Sequence, residues 1–114
     1  MSSERIFTIA RDVQEALERA PDWCATFEAE DDEEKWVQFV DGVINAAYPD
    51  PIAPDRRSRP LPDFDMTEWA RGKFTMGKLN LTDRTELARW IDRYFLEVLR
   101  CEPGFEVSCR LEKL

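Results

Sequence analysis

Histidine is absent from this chain of 114 residues, and its absence excludes a large share of common catalytic chemistry. A Ser-His-Asp or Cys-His nucleophile, an imidazole general base and a zinc site with a histidine ligand are all ruled out. The sequence also lacks a glycine-rich phosphate loop and a nucleophile motif. We therefore predict a protein that is not an enzyme, with no catalytic residue, no cofactor and no metal site.

Basic residues are fewer than acidic ones. The chain has 16 Lys and Arg and 24 Asp and Glu, so its formal net charge is -8. Contacts to phosphate groups need clustered Lys and Arg, so we expect neither nucleic acid nor a membrane surface as a partner. No apolar run approaches the roughly 20 residues that a membrane span needs. The N-terminus, Met1 to Phe7, does not resemble a signal peptide, and we predict a cytoplasmic location.

The chain has only three cysteines, an odd number. They lie far apart and form no C-x-x-C pair: Cys24, Cys101 and Cys109. This usage is typical of small buried hydrophobic side chains in a reducing compartment, and it does not indicate a disulfide framework.

Two segments have the three- and four-residue spacing of apolar side chains that is typical of a helix packed on one face. The first covers residues 3–20 and ends before Pro21. The second covers residues 82–99, where Asp83 is placed to cap the first turn. The apolar positions are Ile6, Ile9, Ala10, Val13, Leu17 and Ala20 in the first helix, and Leu87, Trp90, Ile91, Tyr94, Phe95, Val98 and Leu99 in the second.

Residues 35–48 predict a β-hairpin. Asp41-Gly42 lies between two apolar runs and favours a type I′ turn, which needs positive φ at both central residues. Such a turn places Gln38 opposite Asn45 and sets which side chains share a face. One face is then wholly apolar and is expected in the core; it consists of Val37, Phe39, Ile44 and Ala46.

Alternating side chains predict further strands at residues 23–28, 74–81 and 105–111. The alternation breaks near Gly77-Lys78, which indicates a bulge there. The positions expected to face inward are Phe74, Met76, Leu79 and Leu81 in the second of these strands, and Phe105, Val107, Cys109 and Leu111 in the last.

Three segments lack these patterns. Residues 28–34 carry six acids and predict a solvated turn, since a calcium-binding EF-hand loop would need a central glycine. Residues 49–62 hold five of the seven prolines, together with Arg56, Arg57 and Arg59, and predict an extended surface loop. Residues 66–70 predict one helical turn.

These elements form a single α+β domain over residues 1–114, in the order α-β-β-β-β-α-β, with a Pro-rich loop at 49–62. Both helices are expected to cover one face of an antiparallel sheet in a two-layer sandwich. The other face then stays available for contact, and rigid strands that present an aromatic side chain beside amides suit a partner. We predict a partner-binding site there, formed by Trp36, Gln38, Val40, Val43 and Asn45.

The run from Trp36 to Pro49, the prolines after it, Trp69 with Gly72, and the pattern from Leu87 to Phe95 resemble a known family. They are similar to the small bacterial domains grouped with YbjN and the type III secretion chaperones, the TY-Chap group. The resemblance covers residues 36–99. It implies a secretion-chaperone-like α+β fold, binding of peptides or partner proteins, and pairing of two copies in a homodimer. The third helix of a secretion chaperone has no counterpart among the predicted elements.

Three functions are compatible with these observations. The favoured one is a non-catalytic, chaperone-like module that binds a peptide or partner protein. The second is an acidic inhibitor of the immunity or antitoxin type, whose residues 28–34 would steer it onto a basic target. The third is an enzyme that uses Asp63, Asp65 and Glu68, although an exposed loop does not provide the burial that tunes such carboxylates.

Overall fold

The computed structural model describes residues 2–54 and 61–114. Both predicted helices are confirmed, with ends within two residues of the prediction. The elements, in chain order, are α1 (Ser2–Glu18), β1 (Trp23–Ala29), β2 (Asp32–Val40), β3 (Val43–Ala47), β4 (Phe64–Ala70), β5 (Phe74–Leu79), α2 (Arg84–Glu97) and β6 (Val107–Lys113).

All six strands form one antiparallel sheet in the order β4-β5-β3-β2-β1-β6. The two helices pack on the same face of this sheet and on each other, so that one apolar core lies between the layers. The predicted α+β two-layer architecture is thus confirmed. Within the described ranges, neither helix combines the length and the apolar composition that a membrane span requires.

The hairpin has the predicted turn and register. Asp41 and Gly42 have φ angles of 46° and 82°, as a type I′ turn requires. Gln38 pairs with Asn45 across the two strands. The predicted core face is confirmed, because its members are fully buried: Val37, Phe39, Ile44 and Ala46.

Helix α2 begins as predicted. Asp83 is the N-cap, and its carboxylate accepts hydrogen bonds of 3.1 Å from the backbone N–H groups of Thr85 and Glu86. These bonds satisfy two of the donors that a helix leaves unpaired at its start. A short acidic side chain at this position therefore sets where the helix begins.

Two buried side chains of α2 tie the helix to other segments of the chain. The Trp90 Nε1–H donates to the Pro62 carbonyl at 2.7 Å, and the Tyr94 hydroxyl donates to the Ala47 carbonyl at 2.8 Å. The two rings stack on each other with centroids 5.4 Å apart. These contacts hold α2 over the end of β3 and over the approach to β4.

The predicted helical turn at residues 66–70 is wrong, because these residues belong to β4 and pair with β5. The sheet therefore has one strand more than predicted. A lone helical turn satisfies few backbone groups, whereas pairing with β5 satisfies them along the whole strand. Trp69 of β4 packs against the core and stands edge-on to Tyr48, with ring centroids 6.5 Å apart.

The prediction that Phe74 and Met76 face inward is also wrong. In β5 the buried residues are Thr75, Gly77 and Leu79, so that only Leu79 keeps its predicted orientation among the strand's own residues. Phe74 and Met76 are half-buried and lie on the opposite face of the sheet.

The irregularity that the sequence places at Gly77-Lys78 lies instead in β4, between Met66 and Glu68. Strand β5 alternates without a break. Gly77 marks a close approach of the neighbouring strand, because a Cβ at this position would lie 2.3 Å from the Asp65 carbonyl oxygen. Glycine is required there by packing, and not by a bulge in its own strand.

The remaining segments are partly as predicted. In the last strand and its approach, Phe105 is buried, and Val107, Cys109 and Leu111 pack against the core, as expected. The acidic run is a turn only at its centre, since β2 already begins at Asp32. Residues 55–60 of the predicted Pro-rich loop lie outside the described residues, and with them Arg56, Arg57 and Arg59.

Candidate functional site

The face of the sheet opposite the helices, called here the open face, carries all five residues of the predicted partner site. They alternate with the buried residues of β2 and β3 and so lie on the face away from the helices, where the partly buried Trp36 also packs against buried apolar residues. Val43 is 40% exposed, and the other four are half-buried: Trp36, Gln38, Val40 and Asn45.

A shallow depression of about 380 Å³ lies in the open face. Its apolar lining combines two aromatic rings and a thioether, from Trp36, Phe74 and Met76. Three polar side chains complete the lining: Asn45, Glu68 and Lys73. The depression thus draws on strands β2 to β5 and on the turn before β5.

The register of the central strands brings this set together. Asn45 pairs with Gln38 on one side and with Met76 on the other, and Met76 in turn pairs with Glu68. Side chains directly opposite each other in an antiparallel pair lie on the same face and within contact distance. The depression follows this row from β3 to β4, and on β2 it is completed by Trp36, two residues before Gln38 on the same face.

Asn45 presents a polar group without a partner. Its Nδ2 donates to the Gln38 Oε1 at 3.4 Å, which confirms the predicted cross-strand amide pair. Its Oδ1 is buried and accepts no hydrogen bond from the described residues. A buried acceptor left unsatisfied costs about 1–3 kcal/mol, so a donor that reaches it would be stabilising.

From the sequence, only Trp36 and Asn45 of the depression are predicted to lie on this face. The bulge predicted in β5 places Phe74 and Met76 in the core instead. Counting back from Leu79 in steps of two, without a bulge, would have put Thr75 inward and both residues outward. No local signal marks Glu68, because its position depends on the bulge in β4.

Three predicted site residues lie outside the depression. Gln38 supports Asn45 through their hydrogen bond. Val40 and Val43 pair with each other next to the hairpin turn, one row further along the strands. They form an apolar extension of the open face and do not line the depression.

The cysteine thiols are free, and two of them, Cys24 and Cys101, are buried, while Cys109 is half-buried. Burial raises the pKa of the Cys109 thiol far above its ordinary value, and the nearby Asp12 carboxylate adds to this. Burial likewise raises the pKa of the Cys101 thiol. A nucleophilic cysteine needs a lowered pKa, so neither thiol is activated for attack.

The carboxylates of the enzyme hypothesis, Asp63, Asp65 and Glu68, are all exposed. Asp65 Oδ2 accepts a hydrogen bond of 2.7 Å from the Asn80 Nδ2. Because all three side chains contact solvent, their environments do not differ in the way that those of a catalytic acid and a catalytic base must. In residues 2–54 and 61–114, no group of three or more carboxylate or thiol side chains is arranged to hold a metal ion.

The acidic turn between β1 and β2 contains a carboxyl pair. A hydrogen bond between the Glu30 and Glu106 side chains, and then repulsion between their charges, raises the pKa of Glu30 above its ordinary value. The backbone aligns the two residues, because the Glu30 N–H donates to the Glu106 carbonyl at 2.9 Å.

Glu106→Gln is expected to return the pKa of Glu30 toward its ordinary value. With a raised folded-state pKa, Glu30 binds more protons in the folded chain than in the unfolded chain. Its favourable contribution to stability is therefore present at pH below the ordinary glutamate pKa and is lost as pH rises through the raised value. The variant should lose this pH-dependent step, which a ¹³C NMR titration of Glu30 and urea unfolding at several pH values would detect. An unchanged Glu30 titration would contradict the pairing.

Comparisons with protein-family models, with curated proteins and with solved structures found no match to this chain. The resemblance to the TY-Chap group therefore stays a prediction.

Proposed function

We propose that this chain is a non-catalytic module that binds an extended segment of a partner protein on the open face of its sheet. The observation that carries the proposal is the depression, where Trp36, Phe74 and Met76 place apolar surface on the side of the sheet away from the core. Aromatic side chains and methionine are enriched where proteins contact partners, and a rigid strand surface needs little reordering on binding.

The partner segment is proposed to carry a basic side chain. Aromatic faces attract a guanidinium or ammonium group, and Glu68 at the rim adds an opposite charge. The torsion that orients the Asn45 amide is soft, and a small rotation would turn its unpaired Oδ1 toward a donor in the depression. Lys73 also lines the depression, and its ammonium group favours a carbonyl oxygen of the partner and repels a basic side chain. The partner's basic side chain is therefore expected near Glu68.

The overall charge supports the same partner. A net charge of -8 attracts a basic segment over long range and raises its rate of encounter. Binding of a peptide or partner protein is also the function that the resemblance to YbjN and the secretion chaperones implies.

The alternative function, an acidic inhibitor of the immunity or antitoxin type, places the contact at a different site. It is supported by the exposed acidic residues at and after the β1–β2 turn: Glu30, Asp31, Glu33 and Glu34. The two proposals differ in which substitutions abolish binding, since the acidic turn and the depression share no residue.

The proposal predicts selective binding of a basic peptide. A capped Ser-Thr-Arg-Thr-Ser peptide, titrated into ¹⁵N-labelled chain, should shift the indole N–H of Trp36 and the side-chain amide of Asn45 in a saturable way. A matched peptide with Glu in place of Arg should bind at least about tenfold more weakly, because Glu68 repels it. Trp36→Ala should weaken binding of the Arg peptide by about 2 kcal/mol, roughly thirtyfold, if Trp36 is a hot spot.

Two variants serve as controls for this experiment. Phe7→Ala removes an aromatic side chain that is 71% exposed on α1, and it should leave the affinity unchanged. Phe39→Ala removes a fully buried ring from the same strand as Trp36. This variant should lower the stability of the fold before it lowers the affinity for the peptide. Equal affinity of Trp36→Ala and Phe7→Ala for the Arg peptide would exclude the depression as the site. Loss of binding only on neutralising the acidic turn would favour the inhibitor.

A further inference from the structure

The two outer strands of the sheet differ in how they are protected. Strand β4 carries a bulge between Met66 and Glu68. Strand β6 has none: its seven residues, Val107–Lys113, each pair with a residue of β1 in unbroken register. Among the described residues, no strand pairs with the other side of β6. A regular outer edge of this length is a template for pairing with another chain, and bulges are one means of preventing this.

The backbone groups that β6 directs outward follow from its hydrogen bonds to β1. The Glu106 carbonyl accepts from the Glu30 N–H at 2.9 Å, and the Leu114 N–H donates to the Asp22 carbonyl at 2.6 Å. In an antiparallel ladder, successive residues alternate between bonding to one side and to the other. The even-numbered residues thus bond to β1. The outward N–H and C=O groups belong to Val107, Cys109, Leu111 and Lys113.

We propose that β6 pairs with β6 of a second copy of this chain, antiparallel and with Leu111 opposite the partner's Leu111. The pair joins two sheets of six strands into one continuous sheet. This interface is separate from the depression on the open face, and the inference does not depend on the proposed function.

Charge favours this register over its two immediate neighbours. With Leu111 on the axis, Arg110 lies opposite the partner's Glu112, and Glu112 lies opposite the partner's Arg110. An axis one residue earlier would oppose two arginines, and an axis one residue later would oppose two glutamates. Opposite charges across a strand pair stabilise it, and like charges destabilise it. An axis at Ser108 would also oppose opposite charges, Glu106 and the partner's Arg110, but it would pair only residues 107–109 of β6, whereas the axis at Leu111 pairs residues 109–113.

The Arg110 and Glu112 side chains are 61% and 59% exposed, and within one chain they already form an ion pair of 3.4 Å, which dimerisation would share or replace with the contacts across the axis. Arg110 already contacts Glu28 at 2.8 Å, so that pairing would extend this contact into a chain of alternating charges across both copies. On the helix side, Leu111 is only half-buried and would gain cover from the partner's Leu111.

Charge reversal tests the interface. Sedimentation equilibrium of the full chain over a wide range of concentrations should show a monomer–dimer equilibrium. Arg110→Glu and Glu112→Arg should each weaken dimerisation by on the order of tenfold or more, because each variant opposes like charges twice. The double variant Arg110→Glu/Glu112→Arg restores opposite charges and should recover the dimer. A monomer at every concentration, or a folded double variant that stays monomeric, would overturn the proposal.

Cross-linking tests the register. Leu111→Cys should form an intermolecular disulfide on mild oxidation, because opposite residues in a hydrogen-bonded pair have Cα atoms about 5.5 Å apart, within disulfide range. Ser108→Cys is the matched control, since the two copies of that residue would lie about 20 Å apart along the strands. Cross-linking of Ser108→Cys in preference to Leu111→Cys would exclude this register. Circular dichroism verifies that each variant is folded, and if Leu111→Cys does not fold, the charge reversals decide the question.

Discussion

Replacing Trp90 by alanine is expected to lower the free energy of unfolding by about 3–5 kcal/mol, which is a large fraction of the stability of a small domain. The side chain is 5% exposed and lies between the rings of Phe64 and Tyr94, each with its centroid 5.4 Å away. Its removal leaves a cavity and takes away the indole N–H that donates to the Pro62 carbonyl at 2.7 Å. Urea unfolding followed by far-ultraviolet circular dichroism measures the loss.

Two further variants show whether the loss of stability comes from the buried position of the Trp90 ring. Trp90→Phe keeps most of the ring volume and loses the hydrogen bond, so its loss of stability should be smaller than that of Trp90→Ala. Phe7→Ala removes an exposed ring and should change stability by less than about 0.5 kcal/mol. A Trp90→Ala variant with the urea midpoint of the parent chain would show that Trp90 does not lie in the core.

Asp92→Ala is expected to lower the free energy of unfolding by about 3–5 kcal/mol, because it removes the ionic partner of the buried Arg5 guanidinium. Arg5 Nε lies 2.5 Å from Asp92 Oδ1, and each of the two side chains is 6% exposed. Arg5 Nη1 also donates to the carbonyls of Pro103 and Phe105, at 3.1 and 2.9 Å. The guanidinium lies 4.0 Å from the centre of the Phe105 ring. The pair therefore joins α1, α2 and the approach to β6.

The double variant Arg5→Met/Asp92→Leu separates a lost interaction from an uncompensated charge. Replacing both ions by apolar residues removes the buried charge, so the double variant should be more stable than Asp92→Ala alone. Thermal and urea unfolding of the three chains give the comparison. If Asp92→Ala keeps the stability of the parent chain, then Arg5 is not held by this carboxylate.

The sequence alone predicts the hairpin and α2 because their signals are local. Asp41-Gly42 supplies two positive φ angles, and this turn then determines the face of every side chain in both strands. Asp83 needs only the backbone of its own helix to form the cap. The placement of Trp36 and Asn45 on the open face follows from the same turn.

The faces of Phe74 and Met76 follow from the unbroken alternation of β5, and their prediction is wrong because it includes a bulge at Gly77-Lys78, where the strand has none. Glycine at that position reflects the close approach of β4, a contact between strands that has no local signature. The face of Glu68 depends on the bulge in β4, which no local signal marks, so this lining residue is not predictable from the sequence.

By itself, the sequence determined the class of fold, the two helices, the register of the hairpin and the exclusion of histidine chemistry, because periodicity, turn residues and composition act locally. Only the tertiary structure decided that β4 is a strand, that Arg5 and Asp92 meet, and that β6 is left with a regular outer edge. Each of these depends on residues far apart in the chain. A backbone or charged group is stable only where its polar atoms are paired. At these positions the pairing residue is distant in sequence and comes close only in the folded chain.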